Sequence, residues 1–103
     1  METSSEYQQA LEIVRRAIAA WDPYAFLERG APAGEFDSEV AKVVAELQGV
    51  SSSEELAVVV ADVFRASFAD EAFTRESCAR VASGMFLGLQ REGLLRRWTT
   101  HSR

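Results

Sequence analysis

The chain has 103 residues, 48% hydrophobic and 26% charged, with 16 acidic side chains against 11 basic ones and a formal net charge of −5. That length suits one domain, which can bury about two thirds of its unfolded surface without metal or disulfide, and the composition argues against disorder. No apolar run approaches the ~20 residues of a membrane helix, and one cysteine with one histidine excludes a disulfide framework and a zinc finger.

The elements follow in chain order. Tyr7, Leu11, Val14, Ile18 and Trp21 alternate spacings of three and four, which predicts a helix over 5–21. Ser4 or Ser5 can cap it, with Gln8 in the reciprocal position, and Glu12 and Arg16 fall four apart on its outer face. Pro23 ends it, because the residue before a proline is pushed out of helical dihedrals. Residues 22–37 hold both prolines and two glycines, so they form a long loop between the first two helices, with room for one helical turn at 24–27. Tyr24, Phe26, Leu27 and Phe36 would dock that loop on the core.

A second helix is expected over 38–48, with Val40, Val43, Val44 and Leu47 on one face, Asp37 as its cap and Gly49 as its stop. Ser52 and Glu55 have capping-box spacing and open a third helix over 53–69. Its body is apolar nearly all round, so this helix is expected to be the central one. Thr74 can cap a fourth helix over 75–92, with Cys78, Val81, Ala82, Met85 and Leu89 buried and Glu76 paired to Arg80 outside. Phe73 and Cys78 have the spacing of a hydrophobic staple. The expected fold is therefore all-α: a single-domain, four-helix, bundle-like structure over 1–93, with 94–103 as a tail or helix extension.

Little in the chain points to catalysis. His101, the only histidine, stands three residues from the end of the chain and makes a poor general base. Cys78 on an apolar face reads as a small core residue. No acid, base and nucleophile set is visible, so a non-enzyme is expected, with no cofactor and no metal site. The acidic residues Asp22, Glu35, Asp37 and Glu39 form the one constellation fit for binding. Their simpler roles are structural: Asp37 as a cap, Glu39 at the positive end of the same helix, Asp22-Pro23 as a turn. Their spacing does not match a calcium loop. Trp21 reads as a core anchor whose indole N–H meets a carbonyl or the Asp22 carboxylate; ligand stacking is the sharper alternative. Gly84 and Gly88 interrupt the fourth helix, at a cost of about 1 kcal/mol each relative to alanine. With Leu87 they make a candidate dimer face.

Residues 21–82 resemble the YugE-like family of small uncharacterised bacterial helical proteins. The matching features are Trp21-Asp22-Pro23, Gly30-Ala31-Pro32, Glu35-Phe36-Asp37-Ser38-Glu39-Val40, Glu55-Leu56-Ala57, and Phe73-Thr74 with Glu76, Cys78, Val81 and Ala82. Phe36 stands where that family usually has tyrosine. The resemblance implies an all-helical bundle with the acidic loop between its first two long helices, and it carries over no catalytic residue.

An acidic body repels phosphate backbones, so no nucleic-acid partner is expected. The N-terminus lacks a signal peptide's basic head and apolar core, so a cytoplasmic protein without membrane contact is expected. The leading expectation for function is a protein-interaction domain with a basic partner, in its most concrete version an immunity protein neutralising a bacterial toxin. A small-ligand or divalent-metal-binding regulator is the alternative, and a homodimer is a separate structural expectation.

Overall fold

The computed structural model of the protein describes residues 4–25, 28–30 and 34–95. Helix α1 runs Ser4–Trp21, α2 Asp37–Ala45, α3 Ser53–Phe68 and α4 Ala79–Arg91, and there is no strand among the described residues. The fold is all-α, as the periodicity predicts. Helix α1 packs on α2 and α4, and α3 packs on the same two, so the four close a ring around one core. That core holds Val14 and Ile18 from α1, Val40, Val43 and Val44 from α2, Leu56, Val60 and Phe64 from α3, and Met85 and Leu89 from α4, none more than 1% exposed. Each such side chain contributes about 1.5–3 kcal/mol relative to exposure.

Several boundaries differ from the sequence reading, each for a local reason. The buried stripe of α1 is Ala10, Val14 and Ile18, with Tyr7 37% exposed one turn before it. It ends at Trp21 as expected, but through a left-handed Asp22 (φ 46°), whose N–H still reaches the Ile18 carbonyl at 2.7 Å. Aspartate tolerates that conformation, and Pro23 then starts a 3-10 turn to Ala25. The buried Pro23 and Phe36 anchor the ends of the loop. The Tyr24 side chain, Phe26 and Leu27 lie outside the described residues.

Helix α2 stops at Ala45, three residues early, because Leu47–Gly49 tightens into a 3-10 turn that puts Leu47 and Val50 into the core. Helix α3 is not enclosed. Val58 is 42% exposed and Asp62 and Ala66 face solvent, since the helix meets only α2 and α4 closely, and Val59 and Val63 ride on the shoulder while Val60 is buried. It ends on Ala69 in the left-handed conformation (φ 52°), not on glycine.

Residues 75–78 form a separate turn before α4. Thr74 Oγ1 accepts the Ser77 N–H at 3.0 Å and Ser77 Oγ accepts the Thr74 N–H at 2.9 Å, so Thr74 caps this turn and α4 proper begins at Ala79. Phe73 and Cys78, the staple pair, are both buried. Gly93 (φ 74°) stops α4, and Leu94 and Leu95 beyond it are buried. The glycine permits the reversal that a β-carbon would oppose. Trp98 lies outside the described residues.

Candidate functional site

Phe64 is the hub of an aromatic cluster that joins all the loops at one end of the ring. Its ring centroid lies 5.1 Å from Trp21, 5.5 Å from Phe73, 5.8 Å from Phe68 and 6.0 Å from Phe36. Trp21 meets Phe64 and Phe73 edge-on, an arrangement worth about 0.5–1.5 kcal/mol per pair beyond area burial. Arg65 ties the cluster to the next loop by donating to the Phe73 carbonyl at 2.7 Å and pairing with Asp62. Trp21 is thus a packing anchor. Its indole N–H has no hydrogen-bond partner among the described residues, neither a carbonyl nor Asp22, and its remaining surface opens into a groove.

The four acidic residues singled out by the sequence have separate employments. Asp22 accepts the Glu28 N–H at 3.1 Å, closing the turn. Asp37 is the first residue of α2 and not its cap: Phe36 holds the cap position without a side-chain bond, and the Asp37 carboxylate pairs with Arg15 Nε at 3.3 Å. The reason is the turn at 34–36, whose Gly34 carbonyl takes the Asp37 N–H and sets the helix start one residue earlier than a capping aspartate needs. Glu39 lies in the first turn of α2 and is only 8% exposed, whereas Glu35 faces solvent. No group of three His, Cys, Asp or Glu side chains among the described residues converges to hold a metal.

Two grooves follow the seam between α1 and α4. One, of about 600 Å³, is lined by Ala17, Ala20, Trp21, Glu76, Ser77, Arg80, Val81 and Gly84. The second, of about 390 Å³, shares Ala17 and Gly84 and continues past Ile13, Arg16 and Gly88 to Arg91 and Glu92. The two glycines of α4 differ. A β-carbon on Gly88 would stand 3.1 Å from Ile13 Cγ2, so Gly88 lets α1 approach, whereas one on Gly84 would meet nothing within 4 Å. Glu76 pairs with Arg75 at 3.3 Å and not with Arg80, because the 75–78 turn breaks the four-residue helical spacing. Its own backbone N–H, and then Arg75, hold its carboxyl below the usual range. Arg80 is left exposed on the groove rim.

A family model described as a domain of unknown function, DUF1871, matches residues 13–93. The chain belongs to this family. Comparison with curated proteins and with solved structures finds no match. The matched stretch spans all of α2, α3 and α4, the second half of α1, and the aromatic hub.

One further feature of the DUF1871 chain was not picked out from its sequence. The α2–α3 hairpin, residues 37–68, carries six carboxylates (Asp37, Glu39, Glu46, Glu54, Glu55, Asp62) against Lys42 and Arg65. Helix α4 carries Arg80 and Arg91 and no acid, and α1 balances Glu6 and Glu12 with Arg15 and Arg16. Charge is therefore segregated across the ring. On the acidic half, a groove of about 400 Å³ is lined by Lys42, Glu46, Val59, Asp62, Val63 and Ala66, with Val58 exposed nearby on α3. Counting charge by helix would have found this half; the groove needs the helix positions. Glu55 is partly engaged: the Ser51 amide at 2.7 Å and then the Ser51 hydroxyl hold its carboxyl below the usual range. Cys78 is fully buried and burial pushes its thiol up, only partly offset by the Ser77 hydroxyl and the Arg65 charge, so it is not a nucleophile poised as thiolate. His101 lies outside the described residues. No helix among them is long and apolar enough to cross a membrane.

Proposed function

We propose that the protein is a non-catalytic interaction domain whose acidic α2–α3 face meets a basic protein partner. The observation that carries this is the segregation of charge: the hairpin holds six carboxylates against two cations, of which Glu46 and Glu54 stand exposed and make no ion pair with a described residue, while α4 is purely basic. The surface at Lys42, Glu46, Val59, Asp62 and Val63 combines apolar area with a charged rim, the anatomy of a protein interface. Such a field steers a basic partner to the face and speeds association. The centre of the interface moves from the loop acids to α2–α3, because Asp22 and Asp37 are engaged within the chain and Glu39 is mostly buried.

The most concrete version is a cytoplasmic immunity protein that blocks a toxin nuclease, whose own surface must be basic to hold nucleic acid. The YugE-like resemblance over residues 21–82 falls inside the stretch that the DUF1871 model matches and adds no activity to this reading. Capture from host extract tests it: a basic protein should be recovered at low salt and lost at high salt. Salt-indifferent capture would contradict the charge mechanism.

A further inference from the structure

We propose that the α1–α4 face is where two copies of this chain meet, α4 against α4 and antiparallel about a two-fold axis. Gly84 carries the argument. Glycine weakens a helix interior, and Gly88 has its reason inside the fold, in the approach of Ile13. Gly84 has none: a β-carbon there would meet nothing within 4 Å, and the bare backbone floors an open groove with Ala17. Leu87, 54% exposed and the most exposed large apolar side chain among the described residues, stands three residues further along the same helix. Each copy thus offers an uncovered leucine beside a groove floored by Gly84 and Ala17.

The charges on the seam select the arrangement. Glu76 lines its Trp21 end and Arg91 its other end. An antiparallel crossing centred between Ser83 and Gly84 brings Leu87 over the alkyl stem of the partner's Arg80 and carries Arg91, at the last turn of α4, toward the end of the partner's groove where Glu76 stands on the turn before that helix beside Arg75, twice by symmetry. Such a contact is self-complementary and closes at two copies. The acids of a chain of net charge −5 gather on α2–α3, away from this face. Dimerisation would leave both acidic faces turned outward, so the inference stands whether or not those faces bind a basic partner.

Sedimentation equilibrium on the full chain, from micromolar to near-millimolar concentration, tests it. The parent chain should show a concentration-dependent dimer and nothing larger. Leu87→Arg should be monomeric with unchanged circular dichroism, since Leu87 is exposed. Arg91→Glu should weaken the dimer roughly tenfold or more by opposing two carboxylates, and Arg91→Glu combined with Glu76→Arg should restore it. A monomer throughout, including one whose groove takes some other occupant, would overturn the proposal. A dimer indifferent to Leu87→Arg and to the charge exchange would overturn it too, as would one dissolved by Glu46→Gln with Glu54→Gln.

Discussion

Truncation of Phe64 to alanine is the severest single test of how the ring is held together. Phe64 is 0% exposed and touches four other aromatic rings, at centroid distances from 5.1 to 6.0 Å. Aromatic-to-alanine changes in cores cost about 3–5 kcal/mol, and full burial with four ring neighbours places this one near 4–5 kcal/mol. That is a third or more of the stability expected of a domain this size. At about 4–5 °C per kcal/mol for a chain of this length, the melting temperature should fall by about 16–25 °C. Trp21→Ala, at the half-exposed rim with two ring partners, should cost less, about 3 kcal/mol. Urea unfolding followed by far-ultraviolet circular dichroism gives both values, and the Trp21/Phe64 double variant should show a coupling of about 1 kcal/mol. A loss below about 2 kcal/mol at Phe64, or a greater loss at Trp21 than at Phe64, would refute the cluster as the structural hub.

Three further outcomes follow from named contacts. Gly84→Ala should raise stability by about 1 kcal/mol in dilute solution, where association plays no part, whereas Gly88→Ala should gain little because Ile13 Cγ2 stands 3.1 Å from the new carbon; equal gains would contradict the packing of α1 on α4. Ser52→Ala removes the acceptor of the Glu55 N–H and should cost about 1 kcal/mol. The Glu55 carboxyl sits below its unfolded value, so its contribution is present above about pH 4.3 and fades as pH falls through the folded value; Glu55→Gln should flatten that acid limb in a pH series of denaturant midpoints. Cys78 has the opposite sign. Its folded value is raised, so its contribution is complete below about pH 8.5 and declines as pH rises through the folded value, and a thiol reagent should label it only on unfolding. Rapid labelling of the native chain at neutral pH would contradict its burial.

The four helices were legible because their apolar spacing is regular and their punctuation strong: Pro23 and the Ser52–Glu55 pair mark boundaries that the structure keeps. The early end of α2 was hidden, because Leu47 keeps helical spacing while a 3-10 turn delivers it to the core. The delayed start of α4 was hidden in the same way, since the reciprocal Thr74–Ser77 bonds cap a turn that is not the helix proper. The centrality expected of α3 failed because composition reports how apolar a helix is and not how many neighbours it has. Asp37 misled for a related reason: the cap position depends on the turn before the helix, and in this chain the carboxylate found Arg15, twenty-two residues earlier in sequence. The loop acids drew notice as a cluster in sequence, whereas the acidic half of the ring is built from residues spread over two helices and gathers only in the fold.

The central claim is that the acidic half of the ring is a partner surface, and a matched pair of variants tests it most directly. Glu46→Gln with Glu54→Gln neutralises two exposed carboxylates on the α2–α3 half; Glu28→Gln with Glu92→Gln neutralises two exposed carboxylates outside it and changes the net charge equally. Partner capture from host extract by each immobilised variant, at low salt and at about half-molar salt, separates local from global charge. Loss of the basic partner from the first variant, with retention by the second and by the parent chain, is the expected result. Equal capture by both variants, or equal loss from both, would contradict the assignment of the α2–α3 face.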